Sequence, residues 1–256
     1  MDRKLTGLVL KNVQTGDNKS LVTVLTPDIG KTLVTCYGAR KLTSRNMPAT
    51  QPFCLCEMIV VEKNGRFTLK EACLLESFFD LRRSLEASAI GSYILETGES
   101  CAREGENEEA LLSLMLNCLY ALCLAQIPKE QVKTVYELRL LLELGCAPNL
   151  SDCTCCGKEL KGSDTLFFSP SEGGCVCGHC KKEHLSSGPV YPVDRGCLKA
   201  MDYVLSCPPK RIFSFKLSEK GLFALSRLSE ECLIYNLDRS FDSLKFYKEI
   251  KQDEIL

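Results

Sequence analysis

Two pairs of cysteines give the sequence its clearest potential for chemistry. They form the pattern Cys153-x2-Cys156-x20-Cys177-x2-Cys180. Two residues between paired cysteines allow a tight turn to direct both thiolates at one cation, and a glycine lies in or just after each turn. Two such pairs at this separation are typical of a zinc ribbon. Because four thiolates fill a tetrahedral shell and leave no position for water, the sequence predicts one structural Zn²⁺ per chain.

Two further cysteines lie next to these candidate ligands. Using Cys155 or Cys175 would place one residue between paired ligands, which suits a metal-binding turn less well, so both are interpreted as free thiols. His179 lies inside its CxxC pair and is expected to face solvent. Two alternatives remain open. All six cysteines can pack in a core, or a CxxC pair can be redox-active, although no thioredoxin-like βαβ pattern surrounds it.

The composition limits the class of protein and its compartment. The chain has 256 residues and a formal net charge of −1, so any nucleic acid or membrane has to be recognised by a local patch. The N-terminus shows no secretion signal, and the longest apolar stretch, residues 111–125, is shorter than the roughly 20 residues that span a bilayer. A cytoplasmic location is therefore expected, where 17 cysteines stay reduced and clustered ones bind metal.

The residues before and after the cysteines predict a change from strands to helices. Between residues 6 and 76, five short segments rich in Val, Thr and Leu are separated by turn signals such as TGDN, PDIG and KNGR. Five short strands predict a small antiparallel barrel of the OB-fold type. After Asp80, apolar residues recur at helical spacing as far as Gly145, and again over 194–206 and 218–250.

The predicted fold class is therefore α+β with several domains. An N-terminal OB-fold β-barrel occupies residues 1–80. An α-helical domain follows in two parts, residues 81–150 and 186–256, and the four-cysteine zinc ribbon of residues 151–185 is inserted between them. The acidic stretch 96–109 is interpreted as a solvated loop between helices.

The barrel segment also carries the most informative charge pattern. Between residues 31 and 70 there are seven basic residues and two acidic ones. OB-folds bind single strands by combining cationic grooves with aromatic faces, whereas the alternative is that these charges only solubilise a loop. The candidate DNA-binding residues are Lys31, Tyr37, Arg40, Lys41, Arg45 and Phe53.

The sequence matches known catalytic motifs only weakly. The motif GKT at residues 30–32 resembles the end of a P-loop, but Leu25 stands where the first glycine should be, and the following residues look extended. We expect a strand turn there. The sequence contains two histidines, both in or beside the cysteine-rich segment, which argues against a histidine-based catalytic triad. No catalytic residue is assigned.

Four stretches of the sequence resemble the bacterial recombination mediator family RecO. They are TGLVLKN with VTVLTPDIGKTLVTCYGARK, QPF leading into a strand, YELRLLLELGCAPNLSDCTCCG running into FSPSEGGCVCGHC, and YNLDRSFDSLKFYKEI. Together they span nearly the whole chain. The third is the most specific, because a helix that ends in Leu-Gly-x-x-Pro-x-Leu runs directly into a CxxCG turn.

The resemblance implies an N-terminal OB-fold, a helical domain and an inserted zinc ribbon. It implies a non-enzymatic protein that binds single- and double-stranded DNA, anneals complementary strands and binds the C-terminal tail of single-stranded DNA-binding protein (SSB). Acting with RecR, such a protein helps load RecA during repair, in the cytoplasm at the nucleoid. Some members lack the metal-binding cysteines, so the zinc would be a scaffold.

Residues carried over from the family fall into two sets. The four cysteines of the CxxC pairs match its metal positions, and Arg40, Lys41 and Arg45 match its basic barrel loop. An SSB tail is acidic with an apolar end, so its site would be an apolar pocket rimmed by cations. Candidates in the helical domain are Arg139, Arg227 and Arg239.

Two other functional classes compete with this reading. A metal-dependent nucleic-acid-processing enzyme would need an open coordination position or clustered carboxylates. A scaffold that binds protein alone would use the zinc ribbon as its docking surface and would show no salt-dependent DNA binding.

Overall fold

The structure, a computed structural model, describes residues 2–38, 44–160, 165–183 and 188–253. The strands within these ranges are β1 (Asp2–Gly16), β2 (Lys19–Thr26), β3 (Gly30–Tyr37), β4 (Leu55–Lys63), β5 (Arg66–Glu76), β6 (Leu166–Ser169), β7 (Gly174–Cys177) and β8 (Tyr191–Pro192). Its helices in the described residues are α1 (Leu85–Cys101), α2 (Glu109–Leu124), α3 (Lys129–Glu143), α4 (Gly178–Glu183), α5 (Arg195–Ser206), α6 (Glu219–Leu237) and α7 (Asp242–Asp253).

Contacts divide the chain into two compact units. The first contains Met1–Ala125 and Phe241–Leu256, and the second contains Gln126–Ser240. The predicted boundaries at residues 80, 150 and 185 follow changes in sequence pattern. The contacts group α1, α2 and α7 with the barrel, and the cysteine-rich segment with the remaining helices.

The first unit begins with a closed five-stranded barrel in the order β1-β2-β3-β5-β4. β1 pairs antiparallel with both β2 and β4, and the parallel pairing of β3 with β5 completes the closure. This topology confirms the OB-like barrel predicted from five short strands. The GKT motif forms the start of β3, directly after the turn of residues 27–29 that joins β2 to β3, so the predicted strand turn precedes the motif.

Alternation of side chains along the strands fills the barrel. Val22 and Val24 of β2 point inward with Val34 of β3 and Val60 of β4, and all four are at most 1% exposed. Gly7 lies where β1 crosses close to β2, since a Cβ there would come within 2.3 Å of the Leu25 carbonyl oxygen. The sequence therefore specifies both the inner face and the close approach that curvature requires.

The acidic stretch 96–109 is a loop only in its second part, so the prediction of a solvated loop was wrong for its first part. Residues 96–101 continue α1, where Thr97 is fully buried and Gly98 lies against Met115 of α2. Glu96 accepts hydrogen bonds from the amides of Asp242 (3.3 Å) and Ser243 (3.1 Å). Its carboxylate therefore caps the N-terminus of α7, a contact that charge density alone does not reveal.

The second unit is organised around α3, in which eleven of fifteen residues are buried. The Lys133 ammonium lies 2.9 Å from Glu137 Oε1 and 3.0 Å from Glu230 Oε2, which ties α3 to α6. Burial raises the pKa of Glu137 to about 7. The helical pattern predicted over 218–250 is two helices, because Asp238 adopts the left-handed conformation that ends α6.

Candidate metal centre and nucleic-acid surface

A three-stranded sheet, β7-β6-β8, holds the cysteine-rich segment together. β6 and β7 form a hairpin, in register from Leu166 opposite Cys177 to Ser169 opposite Gly174. The Cys175 amide donates to the Asn149 carbonyl (2.8 Å), and the Thr154 amide donates to the Cys175 carbonyl (2.9 Å). These hydrogen bonds hold the first CxxC turn beside β7, the strand that ends at Cys177 of the second CxxC pair.

Glycines permit this close approach. A Cβ on Gly174 would come within 2.2 Å of the Asn149 carbonyl oxygen. Gly157, which follows the first pair of cysteines, has a φ of +68°, and its amide donates to the Cys153 carbonyl at 2.8 Å. Both positions therefore require glycine, one for space and one for backbone conformation.

The hairpin brings together the four predicted ligands, Cys153, Cys156, Cys177 and Cys180, with all four Sγ atoms within 4.8 Å of one another. Cys156 Sγ and Cys177 Sγ are 3.9 Å apart. A tetrahedral zinc site with Zn–S distances of about 2.3 Å needs S–S distances of about 3.8 Å. The thiols therefore fit a metal ion of this size after a small contraction.

Backbone amides favour the thiolate form of the ligands. The Cys177 amide donates to Cys153 Sγ at 3.3 Å, and the Cys180 amide donates to Cys177 Sγ at 3.5 Å. Burial opposes ionisation of Cys153, but the amides of Cys177, Cys156 and Cys155 together lower its pKa to about 6. Burial and the neighbouring thiols raise the pKa of Cys180, as expected where several thiols share a site without a cation.

The neighbouring side chains stay outside this donor set. Cys155 is exposed, and Cys175 is fully buried, where burial raises its pKa to about 11. His179 is exposed, as expected. The cluster thus contains the four CxxC cysteines and omits the two cysteines interpreted as free thiols.

A groove of about 540 Å³ runs over the outside of the barrel beside β2 and β3. Among the described residues, four cations line it, against one carboxylate, that of Glu104: the cations are Arg3, Lys19, Lys31 and Arg66. The ring of Phe67 also lines the groove, with the Arg3 guanidinium 5.9 Å from its centroid. This combination of cations and one half-buried aromatic face suits an anionic, stackable ligand.

The four cations of the groove differ in their hydrogen-bond and salt-bridge partners. Lys31 donates from Nζ to the Glu99 carbonyl oxygen at 2.8 Å, and Arg3 lies 3.6 Å from the Glu62 carboxylate. Lys19 and Arg66 are exposed and form no salt bridge within the described part of the chain. They are therefore the groove cations most available to phosphates.

Three of the predicted DNA-binding residues have distinct positions on the barrel. Tyr37 is 60% exposed and lies opposite Lys19 in the β2–β3 register. Its side chain therefore lies on the outer face of the barrel, next to the groove residue Lys19. Arg45 is exposed, in the segment that Asn46 anchors by accepting a hydrogen bond from the Ala72 amide (3.0 Å). Phe53 has a φ of +68° and lies over Gly91 of α1.

Of the remaining predictions, Lys31 lines the groove, whereas Arg40 and Lys41 lie outside the described residues. Sequence reasoning missed Arg3, Lys19, Arg66 and Phe67 as groove residues. The available signal was alternation on β3, where Lys31, Leu33, Thr35 and Tyr37 face outward.

The three arginines considered for an SSB-tail pocket do not share an environment. Arg139 is 9% exposed and donates from Nη2 to the Cys207 carbonyl oxygen. Arg227 is exposed, 3.0 Å from Glu231 Oε1 and 4.4 Å from the centre of the Tyr191 ring. Arg239 is exposed beside a shallow cavity lined by Ile234 and Tyr235.

Comparison with known proteins covers nearly the whole chain. The model of the Recombination protein O N-terminal domain matches residues 1–78, and that of the C-terminal domain matches residues 82–245. DNA repair protein RecO of Acetivibrio thermocellus is 29% identical over 245 residues, 96% of each chain. The RecO protein of Pelotomaculum thermopropionicum is 30% identical over 95% of this chain and 92% of its own length. That of Alkaliphilus metalliredigens is 27% identical over 96% of this chain and 99% of its own length.

Within the described residues, none of the helices combines the length and the apolar composition needed to cross a membrane. The two domain models and the relatives agree with the resemblance carried by the four sequence stretches. The chain belongs to the RecO family of DNA repair proteins.

Proposed function

We propose that this protein is a DNA-binding recombination mediator that anneals complementary single strands and, with RecR, helps load RecA onto SSB-coated DNA. The observation that carries the proposal is the groove on the barrel. It combines the unpaired cations Lys19 and Arg66 with the ring of Phe67 on an OB-like barrel. Membership of the RecO family supports the assignment to DNA repair.

The proposed mechanism is electrostatic. Cations in the groove neutralise phosphates and release condensed counterions, so affinity falls as salt rises. Holding strands on a cationic protein lowers their mutual repulsion and raises their effective concentration, which speeds pairing without any bond to nucleic acid being made or broken. On this proposal the protein is not an enzyme.

The four-cysteine cluster would hold one Zn²⁺ as a scaffold. Its donor set consists of four thiols within 4.8 Å of one another, and soft thiolate ligands in a tetrahedral arrangement favour zinc. Such an ion fixes the β6–β7 hairpin against the first CxxC turn. A filled shell leaves no position for an activated water, which is why a metal-dependent nuclease is the weaker alternative.

The further partners follow from family membership and remain part of the proposal. Double-stranded DNA, RecR and the SSB tail would be partners in the cytoplasm, at the nucleoid. For the tail, exposed Arg227 and Arg239 are better placed than Arg139, because Arg139 is buried and already donates to a backbone carbonyl.

The test is annealing of two complementary fluorescent oligonucleotides, one coated with SSB, across a salt series. The parent should accelerate pairing, and Lys19→Ala/Arg66→Ala should reduce that acceleration and flatten the salt dependence of binding by about 1.4 in log–log slope, since each lost phosphate contact removes about 0.7 on a single strand. The variant Arg40→Ala/Lys41→Ala/Arg45→Ala measures the separate contribution of the predicted barrel loop.

The matched control is Lys4→Ala/Lys63→Ala, which removes two exposed barrel cations that do not line the groove. It should anneal like the parent. If the parent neither binds DNA in a salt-dependent way nor accelerates pairing, the protein-only scaffold is correct. Cleavage of labelled DNA with added magnesium would instead favour an enzyme.

A further inference from the structure

The second unit carries a basic surface that the groove does not account for. Between residues 195 and 220 the sequence has six basic and two acidic residues, in a chain whose formal net charge is −1. Within the described residues, five of these cations are exposed and form no salt bridge: Lys199, Lys210, Arg211, Lys216 and Lys220. Exposed like charges without counter-charges attract anions to the surface that carries them.

The segment that presents most of these cations, residues 208–217, is held firmly by hydrogen bonds. Gln131 of α3 is 7% exposed and donates from Nε2 to the carbonyl oxygens of Phe213 (3.0 Å) and Phe215 (3.2 Å). The Tyr203 hydroxyl of α5 donates to the Arg211 carbonyl (3.0 Å). Because three alternate carbonyls are fixed, the cationic side chains project from a preorganised backbone.

Two aromatic rings lie on the same elements as these cations, one on α5 and one on segment 208–217. The ring centroids of Tyr203 and Phe215 are 6.3 Å apart, and both side chains are half-buried. Lys199 precedes Tyr203 by four residues and therefore lies on the same face of α5. Lys216 follows Phe215 in sequence, and the Tyr203 hydroxyl donates its hydrogen bond to the backbone carbonyl of Arg211. We call these five residues the basic aromatic surface.

We propose that the basic aromatic surface binds a second strand of single-stranded nucleic acid, separately from the barrel groove. This inference rests on the proposed DNA-binding function, since annealing requires that one protein hold two strands. Unpaired cations on the same two elements as half-buried aromatic rings match the phosphates and bases of a single strand. An acidic peptide with an apolar end would need an apolar contact next to the cations, and Ile212, which follows Arg211, is 2% exposed and offers none.

The test counts bound strands by fluorescence titration of the full chain with a labelled oligothymidylate of about eight nucleotides, within the roughly 4–16 nucleotides that one OB-fold covers. The parent should bind two strands per chain. Lys199→Ala/Arg211→Ala/Lys216→Ala should bind one, Lys19→Ala/Arg66→Ala should bind one, and the combined variant should bind none. The triple variant should also lose annealing while keeping the groove-bound strand.

Two controls separate charge from folding. The variant Lys199→Arg/Arg211→Lys/Lys216→Arg keeps all three cations and should keep both strands. Lys182→Ala removes an exposed cation of α4 and should change nothing. If the triple alanine variant does not fold, Lys216→Ala alone should still weaken the second strand several-fold.

The outcomes also distinguish this inference from the proposed function. Two strands bound by the folded triple variant, or unchanged second-strand affinity in Lys216→Ala, would overturn the inference. A single strand bound by the parent and lost in the groove variant would overturn it and leave the proposed function standing. No binding by the parent would overturn both. Capture of an oligoglutamate peptide ending in phenylalanine, lost in the triple variant without any change in DNA binding, would show a peptide site and overturn the inference.

Discussion

The four-cysteine cluster and the barrel groove differ in how the chain builds them. All four thiols come from two short turns of one local segment, and two hydrogen bonds through Asn149 and Cys175 help to bring the turns together. The groove combines Arg3 of β1, Lys19 of β2 and Phe67 of β5, which are far apart in sequence and meet only because the barrel closes. A local site is visible as a motif, whereas an assembled surface requires the strand register.

The largest effect is expected from removing one thiol of the four-cysteine cluster, which tests whether the cluster binds a metal ion. Cys177→Ser should lower bound zinc from about one ion per chain to almost none, because structural zinc sites of this kind bind with apparent free energies of about 10–16 kcal/mol that depend on every thiolate. Zinc content of the purified protein by mass spectrometry is the measurement. Cys146→Ser, an exposed thiol outside the cluster, is the matched control and should keep its zinc.

A second prediction compares the contributions of two phenylalanines of the first unit, Phe67 and Phe53, to DNA affinity. Phe67→Leu should weaken binding of a single strand about tenfold, since stacking of one base on an aromatic ring contributes about 1–3 kcal/mol. Phe53→Leu should leave DNA affinity unchanged, because that ring lies over Gly91 of α1. Fluorescence anisotropy measures both, and equal losses would show that the groove is not the binding face.

The smallest expected effect concerns the extra thiol beside the cluster. Cys155→Ser should keep the full zinc content, because Cys155 is exposed and does not belong to the four clustered thiols. Counting accessible thiols in the zinc-loaded protein should show one fewer than in the parent. Loss of zinc from this variant alone would show that the ligand set is wrong.

Much of the fold was predictable because its signals are local. Alternating apolar residues and turn motifs such as KNGR identified all five barrel strands, and Asn64 and Gly65 of that turn both have positive φ values, as a tight hairpin requires. Helical spacing identified the helical stretches that end near Gly145 and the helix over 194–206, but not α4 or the break between α6 and α7. CxxC spacing identified the four thiols that come together.

The parts that were not predictable depend on contacts between distant residues. Glu96 resembled one more charge in a solvated loop, yet its carboxylate accepts from two amides of α7, nearly 150 residues later. Phe53 resembled a stacking residue beside a basic loop, but its left-handed backbone conformation turns the ring onto α1. Neither placement follows from composition or periodicity, because each is decided by an element elsewhere in the chain.

The packing of α7 in the first unit also has a consequence for synthesis on the ribosome. Phe241 contacts Tyr93 of α1 with ring centroids 5.8 Å apart, and Glu96 caps the helix that follows. The unit that starts the chain therefore stays incomplete until residues 241–253 have emerged, after the whole of Gln126–Ser240. During translation, all residues of the inserted unit are therefore synthesised before the residues of α7 that cover this face of α1.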